Sequence, residues 1–395
     1  MNRNLSPRVS TVLIAGAILG PTAATPIGGQ EVALGARSAA HAESFGLIGG
    51  LRELASGEVL VADPLGGLLV RLDATLRTAA TIGSEGEGPG EYRQPDAVWP
   101  IGADSSLLVD LGNARLTVIG PDGRLGETTP IVLPGGGGGG MGGMMMAIPG
   151  GTDAAGHVYF TGSAVSPAGI RDSVTLYRLD RATGDLSEVA SVRAPAMSRQ
   201  TSGGGNNQSV RVTSIPLATA DTWGVAPDGG VFIAREGDYS VQYVPPSGAT
   251  RQGDPVAYDP VRIGADERQE WSDEQARSGG VGVAVQEVNG RRQVTMSRGR
   301  GAAGSGNLDE LPWPAAKPPF ANARIRVDAA GHGWVRRNLR AGRAALYDVF
   351  DQNGRHVRSV RFPEGRTLVG FGASAIYVAY TDALDQQFLE KYPMP

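Results

Sequence analysis

The feature that most constrains the fold is a repeated unit that recurs six times along the chain. Each copy has an apolar strand, a turn containing glycine, a second strand rich in Val, Ile and Tyr, and a third strand that ends at a glycine turn. Alternation of apolar and polar residues, as in VFIAR and IYVAY, is typical of half-buried strands. The copies span residues 51–73, 96–123, 151–184, 222–248, 323–354 and 368–392.

Small antiparallel units repeated four to eight times close radially into a β-propeller, because each unit needs neighbours to bury its faces. The 59 glycines and 26 prolines favour short strands joined by turns over long helices. The sequence therefore predicts an all-β fold, a six-bladed β-propeller of four-stranded antiparallel blades. A short helix is expected in an insertion between blades, where Asp266 and Gln269 fit a capping box.

The second copy carries a recognisable motif. Tyr92-x-x-Pro95 is followed by LVDLGNARL (108–116) and PDG (121–123), and this pattern resembles an NHL repeat. The preceding GEGPGEY (86–92) resembles bacterial exported six-bladed propeller proteins, many of which have no assigned function. The resemblance covers nearly all of the chain after residue 24. It implies that the Asp-x-x-Asn-x-Arg set satisfies its own turn, with the carboxylate accepting backbone and guanidinium hydrogen bonds.

The amino terminus has the layout of a secretory signal peptide over residues 1–24: two arginines, an apolar run over 9–19 and then small residues. That run is too short to span a bilayer, and no longer apolar segment follows, so no membrane span is expected. Export to the periplasm or the extracellular space is predicted. Residues 46–395 would form the propeller, and residues 25–45 would supply its closing strand.

The sixth copy is short of a fourth strand. The segment QEVALGA (30–36) is predicted to pair with blade six and so to cover an exposed sheet edge.

Charge and composition exclude several classes of function. The net charge is −4 without a long basic stripe, so nucleic-acid binding is not expected. There are no cysteines, which removes disulfides, thiolate metal sites and thiol nucleophiles. His157 and His332 both follow Asp-Ala-Ala-Gly and are interpreted as ordinary hairpin residues, while His41 and His356 stand alone.

In a propeller, the loops from the second to the third strand and from blade to blade open on one face around the channel. Three insertions fall in the connections between blades, at residues 135–147, 194–214 and 257–320. Long loops on a rigid scaffold are common sites of binding. The third insertion would be either a lid over the channel mouth or expanded linker sequence.

The candidate ligand-binding side chains come from the loops of that same face. They are Glu87, Glu91, Asp110, Asn113, Arg115, Arg235, Glu236, Asp238, Arg336 and Arg337. The glutamates of the GEGPGEY stretch would meet a cation, a basic partner or water. Arg336 and Arg337, with Arg340 and Arg343 nearby, would receive an anionic ligand or form a solvated charged edge.

These patterns favour an exported, monomeric, non-enzymatic propeller that binds a small molecule or a protein partner through its channel face, without a cofactor. The alternative is a hydrolase or lyase acting on a small molecule or glycan in the channel, with a divalent cation such as calcium as its candidate cofactor. Three or more carboxylate or amide oxygens converging on the channel axis would favour the enzyme.

Overall fold

The computed structural model describes residues 29–102, 104–134, 144–166, 169–202, 209–288, 291–299 and 307–395. They form six blades, each built on an antiparallel sheet whose strands run in chain order from the channel outward. Blade one contains strands Gly50–Glu53, Val59–Asp63, Leu68–Leu72 and Ala79–Thr81. Blade two contains strands Pro95–Ile101, Ser105–Asp110, Arg115–Ile119 and Leu125–Pro130. Blade three contains strands Gly151–Thr152, Val158–Thr161, Ser173–Leu179 and Leu186–Arg193. Blade four contains strands Thr222–Val225, Val231–Arg235, Ser240–Val244 and Arg251–Gln252. Blade five contains strands Arg326–Val327, Gly333–Arg336, Leu346–Phe350 and His356–Arg361. Blade six contains strands Arg366–Phe371, Ala375–Thr381 and Gln387–Pro393.

The innermost strands arrange the blades in a ring. That of blade one contacts the innermost strands of blades two and six, and blades two to five contact one another in sequence. The predicted six-bladed β-propeller is thereby confirmed. Glycine permits the close approach at these junctions. A Cβ on Gly50 would lie 2.7 Å from the Val98 nitrogen, and one on Gly224 would overlap the carbonyl of Ile325.

The apolar core lies within and between the blades, where second strands are almost wholly buried. Between blades four and five, for example, Phe232 and Val241 share one cluster with Val335 and Phe350. Packing of this kind fixes neighbouring blades to each other, so the channel has rigid walls.

The N-terminal segment fastens the last two blades. Ala39–Ala40 pairs antiparallel with Gln387–Pro393 and is the fourth strand of blade six. The prediction that residues 30–36 pair with blade six is wrong, because Gln30–Ala33 runs parallel to His356–Arg361 as a fifth strand of blade five. The physical reason is a second open edge: the outer strand of blade five also has unpaired backbone groups. There Glu31 forms a bidentate ion pair with Arg361, at 2.6 and 3.2 Å.

Further short elements lie in the connections. They are a parallel pair, Ser84–Glu85 with Glu91–Tyr92; hairpins of Val132–Pro134 with Met144–Met146, Val165–Ser166 with Gly169–Ile170, Met197–Ser202 with Ser209–Ser214, and Gly280–Val288 with Arg291–Gly299; an α-helix, Ala265–Ser278; and a 3-10 helix, Leu308–Glu310. We call the α-helix the insertion helix and the hairpin that follows it the insertion hairpin.

The insertion helix starts differently from the prediction. Asp266 lies inside the first turn, and the residue that caps the helix is Gly264, whose N–H donates to the Glu267 carboxylate at 3.0 Å. The predicted capping box of Asp266 and Gln269 is therefore wrong, since the helix begins before Asp266.

Some predictions fall on residues outside the described ranges, namely the signal peptide over 1–24 and most of the insertion at 135–147. Among the described residues, none of the helices combines the length and the apolar character needed to cross a bilayer.

Candidate ligand-binding channel

The Asp-x-x-Asn-x-Arg set of blade two is satisfied within its own turn. The Asp110 carboxylate is fully buried and accepts the backbone N–H groups of Arg93 and Gln94 at 3.1 and 3.2 Å. Its second oxygen accepts Asn113 at 2.7 Å and the Arg115 guanidinium at 3.1 Å. All four contacts bind parts of one blade junction together.

The GEGPGEY stretch is attached to that same set. Arg115 donates to the backbone carbonyls of Glu87 and Glu91, at 3.0 and 2.7 Å. The Glu91 carboxylate accepts the Gly88 N–H at 2.7 Å, and Glu87 forms an ion pair with Arg93 at 2.9 Å in which both side chains are exposed. The carboxylates of Glu87 and Glu91 thus have partners within their own loop.

Blade four holds a second set. Arg235 donates to Asp221 at 2.7 Å, and the same carboxylate accepts the Glu236 N–H at 3.1 Å. Asp238 accepts both the N–H and the hydroxyl of Ser240, at 3.0 and 2.7 Å. These contacts close the loop between the second and third strands of this blade.

Blade five holds the most buried set. Arg337 binds Asp348 with two hydrogen bonds of 2.7 and 3.0 Å, and Asp348 also accepts the hydroxyls of Tyr239 and, at 2.6 Å, Ser359. Burial raises the pKa of the Asp348 carboxyl, but the hydrogen bond from His356 and the charge and hydrogen bonds of Arg337 outweigh it, so this pKa lies below its usual range.

Arg336, unlike Arg337, binds the insertion helix. It forms an ion pair with Glu274 at 2.7 Å. One turn earlier on the helix, Glu270 binds the Lys317 ammonium at 2.8 Å and the Gly342 N–H at 3.0 Å. Burial raises the pKa of Glu274, but the positive charge of Arg336 outweighs it and the pKa is lowered overall. The helix is therefore docked on blade five through its acidic residues.

The insertion hairpin reaches the opposite side of the ring, at blade two. Arg298 forms a bidentate ion pair with Asp96, and its backbone N–H and carbonyl both bind the Gln94 side chain at 2.6 Å. Met296 is fully buried against Ile131 in the core of that region. Since the helix docks on blade five and the hairpin on blade two, the insertion spans this face of the channel.

Two cavities follow the channel axis. The insertion-side cavity, about 520 Å³, lies between the insertion helix and blades five and six. The far cavity, about 350 Å³, is lined by the innermost strands of all six blades and extends to the hairpins between first and second strands. Arg324 and Arg326 line both cavities. We call them the arginine pair.

The arginine pair carries positive charge without a carboxylate partner. Arg324 stacks on Trp99, with its guanidinium carbon 4.5 Å from the ring centroid, and among the described residues it donates one hydrogen bond, of 3.4 Å, to the Pro149 carbonyl. In the described part of the chain, no carboxylate lies within ion-pair distance of either arginine. Asp96 acts on Arg324 electrostatically, but its carboxylate is bound to Arg298.

The environment of the pair disfavours its charge. Burial within the channel and then the positive charge of Arg326 lower the pKa of Arg324 to about 9, and burial lowers the pKa of Arg326 as well. Arg324 is nevertheless exposed and Arg326 half-buried, because both line a channel that water enters. With its pKa at about 9, the Arg324 guanidinium remains charged at neutral pH.

Among the ten residues predicted from the sequence, Arg336 lines the insertion-side cavity together with the arginine pair, whereas the other nine line neither cavity. No hydrogen bond or ion pair among the described residues joins the predicted residues of one blade to those of another. Sequence reasoning missed the arginine pair because it considered only loops. The signal was present: in ARIRVD (323–328) two arginines stand two residues apart where an innermost strand begins, and alternate residues of extended backbone face one side.

His157 and His332 lie in equivalent hairpins. Each ring Nδ1 contacts the aspartate four residues earlier, Asp153 at 2.7 Å and Asp328 at 3.3 Å. Within the described ranges, no three His, Asp or Glu side chains are grouped so that they could hold a metal ion.

Solved structures share the general arrangement. The chain is similar to an exported protein of Bacteroides fragilis (10% identity, 93% of this chain and 99% of that one, TM-score 0.43) and to a gluconolactonase of Xanthomonas campestris (12%, 93% and 88%, 0.40). It is also similar to the virginiamycin B lyase of Staphylococcus aureus (11%, 88% and 94%, 0.36). No protein-family model and no curated protein sequence matches the chain. Likenesses at this level assign no activity.

Proposed function

We propose that this protein binds an anionic small molecule in its central channel and that the arginine pair holds the anion. The observation that carries the proposal is the absence of any carboxylate within ion-pair distance of Arg324 or Arg326 in the described ranges, although the channel disfavours their charge. A guanidinium presents several N–H donors in a planar fork that matches carboxylate and phosphate oxygens.

The geometry supports binding in a second way. The Trp99 ring restrains the Arg324 guanidinium, so little side-chain freedom is lost when a ligand binds. The mutual repulsion of the two arginines is relieved when a negative charge lies beside them, since a nearby opposite charge favours the charged form. The channel thus presents guanidinium donors that no carboxylate of the described residues neutralises, and that of Arg324 is already oriented by Trp99.

Export remains part of the proposal and rests on the sequence pattern of residues 1–24. Mass spectrometry of the mature protein from the native host checks it. A first residue shortly after position 24, in a periplasmic or secreted fraction, is expected; an intact N terminus in the cytoplasm would contradict export.

Anion binding is tested by thermal unfolding of the mature protein with phosphate, sulfate, acetate and citrate at constant ionic strength. A ligand that binds only the folded state raises the melting temperature. At a concentration of a hundred times its Kd, it adds about 2.7 kcal/mol to the free energy of unfolding. We expect a shift with at least one oxyanion. The double variant Arg324→Gln/Arg326→Gln should lose it, with affinity reduced at least about tenfold.

The matched control is Arg124→Gln, which also removes an arginine but lies on the surface, where Arg124 is 90% exposed. This variant should respond as the wild type does. An equal shift in the double variant would refute the arginine pair as the anion site.

A further inference from the structure

We infer that the ligand is an amphipathic anion, with an acidic group on the arginine pair and an apolar body that extends into the far cavity. This inference rests on the proposed function and adds the chemical class of the ligand. It follows from the difference between the two cavities that meet at the arginine pair.

The insertion-side cavity is lined by many charged side chains, several of which pair with one another. Arg336 binds Glu274, and Arg277 lies 3.6 Å from Asp385. The insertion helix and hairpin also span this side of the channel. An apolar ligand body placed here would lie against charged groups and remove them from water, which favours placing the body on the other side of the arginines.

The far cavity presents apolar side chains from several blades. Its apolar lining includes the half-buried side chains of Trp99, Val225, Val327 and Phe371, from blades two, four, five and six. Its volume of about 350 Å³ falls in the range of small-molecule sites, about 300–1,000 Å³. The first-to-second-strand hairpins form its outer end, so a ligand enters there and meets the arginines at the inner end.

Apart from the Trp99 indole N–H, which has no acceptor among the described residues, the other polar side chains that line the far cavity are already engaged within the protein. The pairs are Arg52 with the Ser106 hydroxyl, Glu53 with the Ala373 N–H, Thr152 with the Pro100 carbonyl and Asp153 with His157. The walls therefore offer a ligand body mainly hydrocarbon contacts. A sugar or other polyhydroxylated body would leave hydroxyl groups facing apolar walls, which is costly.

A chain-length series of carboxylates tests this class directly: acetate, butanoate, hexanoate and octanoate, measured by calorimetry on the mature protein. Each added methylene that enters the cavity should improve the affinity about fourfold. Octyl phosphate beside octanoate distinguishes the two acidic groups, and whichever binds more tightly identifies the group that the arginine pair prefers.

Two variants locate the two parts of the ligand. In Arg324→Gln/Arg326→Gln, octanoate should bind at least tenfold more weakly. In Val225→Thr, which keeps the shape of a half-buried side chain but adds a hydroxyl, the preference for octanoate over acetate should shrink while acetate binding is unchanged.

The outcomes separate the two proposals. Equal affinity for acetate and octanoate, both lost in the double variant, would overturn the apolar body and leave anion binding intact. Octanoate binding that is undiminished in the double variant would refute the placement of the acidic group and with it the proposed function. No binding of any oxyanion would overturn both.

Discussion

The rim arginines (Arg115, Arg235 and Arg337) and the arginine pair of the channel are the same residue type in opposite situations. Each rim arginine binds an aspartate of its own blade, at 3.1, 2.7 and 2.7 Å respectively. Within the described ranges, the channel arginines contact the Trp99 ring and, through one long hydrogen bond, the Pro149 carbonyl. Rim guanidiniums therefore complete the fold, whereas the channel guanidiniums keep donors that the fold does not use.

The rim arginines and the arginine pair differ in what they do for the fold. The rim arginines of blades two, four and five each bind an aspartate of the same blade and hold its loops. The arginine pair has no such local role, since no carboxylate of the described residues lies within ion-pair distance of it. Variants of the two sets should consequently separate stability from binding.

The largest effect is expected for Arg337→Ala. Removing this arginine leaves the fully buried Asp348 carboxylate without its cation, and breaking a buried ion pair in this way costs about 3–5 kcal/mol. Urea unfolding gives the free energy of unfolding of the variant and of the wild type. A loss below about 1 kcal/mol, the range of exposed ion pairs, would show that Arg337 is not structural.

Arg115→Ala should have a smaller effect, about 1–3 kcal/mol, because Asp110 keeps Asn113 and two backbone N–H groups as partners. The variant also frees the carbonyls of Glu87 and Glu91. Proteolysis of the 86–92 loop should therefore become faster than in the wild type, and an unchanged rate would contradict the role of Arg115 in fastening that loop.

The dependence of stability on pH should also distinguish the rim arginines from the arginine pair. The folded-state pKa of Asp348 is lowered, so its contribution to stability is present above its ordinary value, about 3.9, and is lost as the pH falls through the folded-state pKa. The Arg324→Gln/Arg326→Gln variant should show the same acid-limb profile as the wild type. In Arg337→Ala the buried Asp348 carboxyl favours its protonated form, so the loss of stability with falling pH should be smaller than in the wild type. A pH profile parallel to that of the wild type would contradict the role of Asp348 in acid unfolding.

The smallest effect on stability is expected for the channel double variant itself. Replacing two guanidiniums that lack carboxylate partners should leave the free energy of unfolding within about 0.5 kcal/mol of the wild type, or raise it by removing their repulsion. Urea unfolding without added oxyanion checks this. A loss of several kcal/mol would mean that the arginine pair is structural after all.

The fold could be predicted from the sequence because its information is local and repeated. Period-two strands and glycine turns recur in each blade, and repetition of one unit implies radial closure. The partner of the N-terminal segment could not be read in this way. Residues 30–36 are compatible with any open strand edge, and only the full ring shows that blades five and six both offer one.

The candidate site was harder to predict for a related reason. Motif residues such as Asp110 and Arg115 stand out in the sequence because they match a recognisable repeat motif, and the structure shows them bound to each other. The arginine pair stands where an innermost strand begins, and its lack of carboxylate partners depends on strands that are distant in the chain. The ARIRVD pattern contains the pair, but only the folded channel shows that no carboxylate of the described residues pairs with the two arginines.

The most direct test of anion binding in the channel is a crystal of the mature protein soaked in selenate, located by its anomalous scattering. The account predicts a selenium peak within hydrogen-bond distance of Arg324 or Arg326, lost in the double variant and retained in Arg124→Gln. Selenate ordered only at the rim loops or on the outer surface, with none beside the arginine pair, would contradict it.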